Sequence, residues 1–136
     1  MALGVFDILH LGHLHYLKQA KALGDELIVV LSSDAAARSE NKEPILPDEM
    51  RARIVSNLKP VDQTIVDYND DLYKVIEDIK PGIIALGYDL KYNVLEMKRE
   101  LQKRGMEIEV KRMQRHPNPL LGSSELIHRI VTCGES

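Results

Sequence analysis

Short runs rich in Ile and Val alternate along this chain with longer amphipathic stretches, which is the pattern of βαβ units on a parallel sheet. Five strands and five helices are expected. Residues 2–6 form a short first strand, and residues 13–23 a helix with Leu14, Leu17 and Ala20 to Ala22 on one face and Lys18 and Lys21 on the other. Gly24 stops that helix from the C′ position. Residues 26–31, ELIVVL, are almost continuously apolar, as a central parallel strand covered on both faces must be. Residues 32–43 are polar and aperiodic, so a loop is expected there. Pro47-Asp48-Glu49 opens the next helix, with acidic residues at the positive end of the helix dipole, and it runs to about Leu58. A strand over 64–67, a helix over 72–79 closed by Pro81, and a strand over 83–86 ending at Gly87 follow. The chain finishes with a helix over 94–103 ending at Gly105, a strand over 107–111 and a helix over 123–131. The fold class is therefore α/β, a doubly wound sheet of about five parallel strands with helices on both faces.

Composition narrows the function. The 136 residues make one domain, 1–136, with no repeat or linker to divide it. With 44% hydrophobic and 29% charged residues the chain can bury a core, which excludes disorder as its global state. Eighteen Lys plus Arg against 21 Asp plus Glu give a net charge of −3, and the pI is near 5.9, which argues against a nucleic-acid partner but leaves small anions open. Cys133 is the single cysteine, so no internal disulfide can form. No apolar run is long enough to span a membrane, and MALGVF lacks the basic start of a signal peptide. A cytoplasmic location is expected.

Ligands of open parallel sheets bind beyond the carboxyl ends of the strands. Residues 6–13, 32–42, 87–89 and 112–124 all follow strands and should share that rim. The most informative of these segments is GVFDILHLGH, residues 4–13. His10 and His13 stand three apart across Gly12 where a helix begins, a spacing that projects both rings to one side. Gly12 removes a side chain where a ligand could approach, and the amides of a helix start favour an anion. Two imidazole donors suit the extra charge on an α-phosphate under attack. The plain alternative is that one histidine caps the helix and the other titrates with no ligand.

GVFDILHLGH resembles the GxFDxxHxGH signature of the nucleotidyltransferases related to cytidylyltransferases, a Rossmann-like group that joins a nucleoside triphosphate to a phosphorylated acceptor and releases pyrophosphate. The resemblance spans nearly the whole chain, through YLKQAKALGDELIVVLSSD, NKEPILPDEMRARIVSNLKPVD, IKPGIIALGYDLKY and GSSELIHRI. KPVD, LGYD and RGMEIEVKRM are most similar to the archaeal FAD synthase subfamily, which implies transfer of AMP from ATP to FMN with a divalent metal, Mg²⁺ by expectation. Glycerol-3-phosphate cytidylyltransferases and other sugar- or polyol-phosphate nucleotidyltransferases are the rival subfamilies. A nucleotide-binding module without catalysis is the alternative of another class.

Position by position, the resemblance assigns His10, His13 and Lys42 to catalysis, and Val5, Phe6, His10, Leu11, Gly12, His13, Asp89, His116, Ser123 and Ser124 to the nucleotide. Lys42 corresponds to a mobile-loop lysine that reaches phosphates; alone it reads as a solvated charge. Asp89 corresponds to the acidic nucleotide contact, although a Gly-Tyr-Asp turn is ordinary turn chemistry. Ser123 and Ser124 correspond to the hydroxyls on the β and γ phosphates, and plain N-capping would satisfy them equally. Asp7 stands between orienting the histidines or a metal-bound water and a structural role in the turn. The chain departs from the pattern with Gly122 at the third hydroxyl, Leu11 for a frequent Pro, and His116-Pro117-Asn118-Pro119 where cytidylyltransferases carry an Arg-Thr pair, which weakens the CTP reading. The metal ligands stay unassigned, Leu11, Tyr16, Tyr88 and Tyr92 are candidate apolar walls for a flavin, and a homodimer is implied by the resemblance alone.

Overall fold

The computed structural model describes residues 1–117 and the backbone of 123–134, with side chains from residue 127 onward in that last segment. Its elements, in chain order, are β1 (Ala2–Gly4), α1 (Leu11–Ala22), β2 (Ile28–Ser32), α2 (Asp34–Ser39), α3 (Asp48–Ser56), β3 (Gln63–Asp67), α4 (Leu72–Ile79), β4 (Ile83–Leu86), α5 (Val94–Lys103), β5 (Glu109–Arg112) and α6 (Ser123–Gly134). The five strands form one all-parallel sheet in the order β3-β2-β1-β4-β5. The order reverses between β1 and β4, which makes their carboxyl ends the switch point where a crevice opens.

Alternation along the strands divides the core into two layers. Ala2, Val29, Leu31 and Ala85 face Leu17 and Ala20 of α1 and Val55 of α3. Leu3, Val30, Ile84, Leu86 and Val110 face Ile76 of α4 and Met97 and Leu101 of α5. Each central strand thus buries both faces, and this is why ELIVVL carries no polar alternation.

Four differences from the sequence expectation have local causes. The expected loop over 32–43 contains α2, because Ser33 Oγ accepts the Ala36 N–H at 3.1 Å and caps three successive alanines, the best helix formers, with Ala37 fully buried. There are consequently six helices, not five, among the described residues. α1 begins at Leu11, two residues before the expected start, with His10 as its N-cap. β1 ends at Gly4, because Phe6 turns into the left-handed region at φ 54°. Gly24 does not adopt a positive φ; α1 ends instead at Leu23 in right-handed geometry, with the Leu23 and Gly24 amides bonded to Ala20 and Lys21 oxygens. The other ends differ by small shifts: β2 and β5 each start two residues later and end one residue later than expected, α3 runs from Asp48 to Ser56, β3 starts at Gln63 and α6 reaches Gly134. α4, β4 and α5 lie where the pattern puts them. Lys80, in left-handed conformation at φ 52°, ends α4 before Pro81, whose ring disfavours helix in the preceding residue.

Candidate active site

The histidine pair is built by the helix start itself. His10 Nδ1 accepts the Gly12 N–H at 3.1 Å, and His13 Nδ1 accepts the His10 N–H at 3.2 Å, so the two imidazoles form a reciprocal capping box. Gly12 is needed for this, because a Cβ there would lie 2.8 Å from Cε1 and 2.9 Å from Nδ1 of His10. The amides that were expected to receive an anion are in part taken by these rings. A neutral imidazole that accepts at Nδ1 carries its proton at Nε2. Each ring therefore keeps an Nε2–H donor on its far side, with ring centroids 4.0 Å apart.

Both rings are held neutral. Burial lowers the pKa of His10, against partial opposition from Asp89. Burial and the neighbouring His10 push His13 down to about 4, although Asp89 and Asp7 pull the other way. The pair presents two neutral donors to whatever lies before it.

What lies before it is a cavity of about 680 Å³, within the usual range for a small-molecule site. Residues from the carboxyl ends of β1, β4 and β5 and from the loop before α3 line it. Val5, Phe6, His10, Gly12, His13, Lys42, Asp89 and His116 all contribute, so eight of the sequence candidates converge. Leu11 does not line the cavity; its side chain is exposed on the first turn of α1. The side chains of Ser123 and Ser124 lie outside the described residues, although Ile127 of the same helix reaches the cavity. Of the apolar candidates, Tyr16 and Tyr88 line this cavity, Tyr16 with its hydroxyl turned into the sheet, and Tyr92 lines a neighbouring one of about 60 Å³.

Asp7 lines the same cavity and also has a structural role. Its two carboxylate oxygens accept the Ile45 and Leu46 amides at 2.8 and 3.0 Å and fasten the loop that carries Lys42. The sequence reading also missed two arginines. Arg51 is fully buried and donates to Leu46 O, Val5 O and Ser32 O and to Asp34 Oδ1, tying the ends of β1 and β2 to α3. Its signal was available in the phase of α3, since it sits four residues before the buried Val55 on the inward face. Arg112 donates to the carbonyls of Gly87, Leu90 and Tyr92 and so holds the turn bearing Asp89. Among the described residues no group of three or more His, Cys, Asp or Glu side chains converges to hold a metal ion, and no helix is long and apolar enough to cross a membrane.

A five-stranded all-parallel sheet with helices on both faces and a crevice at its switch point is a Rossmann-like α/β fold. The chain belongs to the cytidylyltransferase-like family, whose profile matches residues 1–129. Among curated relatives it is 44% identical to the FAD synthase of Thermoplasma acidophilum over 131 residues, covering 96% of this chain and 92% of that protein. It is 42% identical to the FAD synthase of Aciduliprofundum boonei, covering 96% and 89%, and 43% identical to that of Ferroglobus placidus, covering 100% and 90%. Among solved structures, one described as the lipopolysaccharide core biosynthesis protein from Thermoplasma volcanium superposes with a TM-score of 0.84 at 45% identity, covering 85% of this chain and 95% of that one.

Proposed function

We propose that the protein is an FMN adenylyltransferase, an FAD synthase that transfers AMP from ATP to the phosphate of FMN. The relatives named above support an enzyme of this kind over a binding module without catalysis. The observation that carries the mechanism is the pair of Nε2–H donors, fixed in one tautomer by the backbone, on two rings that line the large cavity. A terminal oxygen of the FMN phosphate attacks the α-phosphorus of ATP in line; the new P–O bond forms as the bond from the α-phosphorus to the oxygen bridging to the β-phosphate breaks, and pyrophosphate leaves. No protein nucleophile is needed. His10 and His13 donate hydrogen bonds to the oxygens on which charge grows, and Lys42, at the lip shared by the two cavities, supplies a positive charge to the phosphates.

The acceptor phosphate is read as entering where the larger cavity meets a smaller one of about 60 Å³, itself too small to hold a flavin. The smaller cavity is walled by Ala36, Leu72, Leu90 and Tyr92 and meets the larger one at Val5 and Lys42, so an acceptor phosphate would arrive beside the triphosphate. A Mg²⁺ ion would be held mainly by the triphosphate oxygens, since among the described residues no group of three or more His, Cys, Asp or Glu side chains converges to hold one. When bound, it would neutralise phosphate charge. We further read the enzyme as cytoplasmic and homodimeric, with exposed Met50 and Ile54, one turn apart on α3, as surface a second copy would cover; a sizing column tests this.

The test is pyrophosphate release with Mg²⁺, crossing ATP and CTP against FMN, glycerol 3-phosphate and a hexose phosphate. Release with ATP plus FMN alone is expected. Release only with CTP, or only with a polyol or sugar phosphate, would overturn the assignment.

A further inference from the structure

β1 and β4 part at the centre of the sheet: they share the single register Ala2↔Ala85, whereas β2 and β3 pair from Ile28↔Gln63 to Ser32↔Asp67. A side chain enters at that rung. Tyr16, on the second turn of α1, accepts the Leu3 N–H at its hydroxyl at 2.9 Å and donates to Ala85 O at 2.5 Å. Immediately beyond, the chain becomes Gly4-Val5-Phe6 on one side and Gly87-Tyr88-Asp89 on the other, the two lips of the large cavity, and Tyr16 forms part of its floor.

A buried amide and a buried carbonyl at a point where strands diverge are costly to leave unpaired, and a hydroxyl serves both because it donates and accepts at once. The phenol is held in place. Its ring lies parallel to Phe6, 6° from coplanar with centroids 6.2 Å apart, and a Cβ at Gly4 would lie 2.7 Å from the Phe6 ring, so that position is open only to glycine. Burial pushes the Tyr16 hydroxyl well above the ordinary phenol range, which keeps the donor proton in place.

We propose that Tyr16 is a positioning residue for the nucleotide: its hydroxyl spaces β1 from β4 and thereby sets the width of the crevice that takes the nucleoside half of the triphosphate. The inference rests on the nucleotide-binding reading above and deepens it. The phosphate half is the work of the histidine pair, so the two halves are separable by ligand.

Tyr16→Phe keeps the ring and its stacking on Phe6 but removes the spacer, and the lips then close on each other. By calorimetry, a non-hydrolysable ATP analogue is expected to bind the variant about tenfold more weakly. Inorganic tripolyphosphate, which needs no nucleoside crevice, is expected to bind variant and wild type alike. Loss of affinity for both ligands to the same degree, or for neither, would overturn the proposal. Wild-type protein that binds tripolyphosphate but not the analogue would also overturn it, and wild-type protein that binds neither would remove the nucleotide reading itself. A second measurement needs no variant. The Tyr16 hydroxyl proton, held in a short bond, should give a slowly exchanging downfield proton resonance in the wild-type protein. The analogue is expected to shift that resonance and tripolyphosphate to leave it in place; equal movement with both, or none with either, would contradict the spacer role.

Discussion

Replacing Arg51 by Met tests whether the ends of β1 and β2 are held by one buried cation. The side chain is fully buried, and its guanidinium donates to Leu46 O at 3.0 Å, Val5 O at 2.7 Å, Ser32 O at 3.0 Å and Asp34 Oδ1 at 2.7 Å. Met fills a similar volume, so the loss is one of polar pairing and not of packing. Breaking a buried ion pair by removing one partner costs about 3–5 kcal/mol. Asp34 keeps a quarter of its side chain in water, so solvent takes back part of that cost and the expectation falls at the lower end, about 3 kcal/mol. With a urea slope of roughly 1.5–2 kcal/mol per molar, the midpoint should fall by about 1.5–2 M. Lys, which keeps the charge but not the planar fork, should recover less than half of the loss, on the order of 1 kcal/mol. Equilibrium urea unfolding followed by circular dichroism reads all three proteins. A midpoint for Arg51→Met within about 0.3 M of wild type, less than 1 kcal/mol on the same slope, would refute the reasoning.

Four further expectations follow from the site. His10→Ala and His13→Ala should each lower turnover by about 10²–10³-fold while the KM for ATP moves only a few-fold, since the donors act on charge that develops in the transition state; equal damage to both parameters in steady-state kinetics would count against this. In the free protein, the His13 ring should titrate near pH 4 and the His10 ring below the ordinary histidine value, both as Nε2–H tautomers in long-range proton–nitrogen spectra, and a His13 midpoint near 6.5 would contradict it. The same shift has a sign for stability: between about pH 6.5 and about 4 the unfolded chain holds a His13 proton that the folded one does not, so stability should fall as pH drops through that window in the wild type and less steeply in His13→Gln. Gly12→Ala should destabilise the protein by about 1–2 kcal/mol, because the added carbon meets the His10 ring and breaks its cap, and a thermal melt unchanged from wild type would remove the capping argument.

The layering of the fold could be read from periodicity because both core layers draw on uninterrupted apolar strands and on helices whose inward faces repeat every three or four residues. What escaped was local. α2 is only six residues long, and its polar surface hides a helix that a single serine cap starts. The convergence of His10, His13, Lys42, Asp89 and His116 on one cavity was legible, since each follows a strand and strand ends share a rim. Their partners were less so. That the imidazoles cap their own helix through Nδ1, and so donate through Nε2, depends on backbone geometry that His-x-Gly-His alone does not encode. Asp7 was read evenly between two roles, and only the fold brings the Ile45 and Leu46 amides to it across nearly forty residues. Arg51 was not singled out, although its alignment with Val55 marks it as inward-facing.

Adenylyl transfer from ATP to FMN at the histidine pair can be followed through the α-phosphate. Protein incubated with Mg²⁺, FMN and ATP radiolabelled at the α-position should yield labelled FAD in step with unlabelled pyrophosphate, and His13→Ala should all but abolish it. Flavin that stays unlabelled, or full labelling by His13→Ala, would contradict the account.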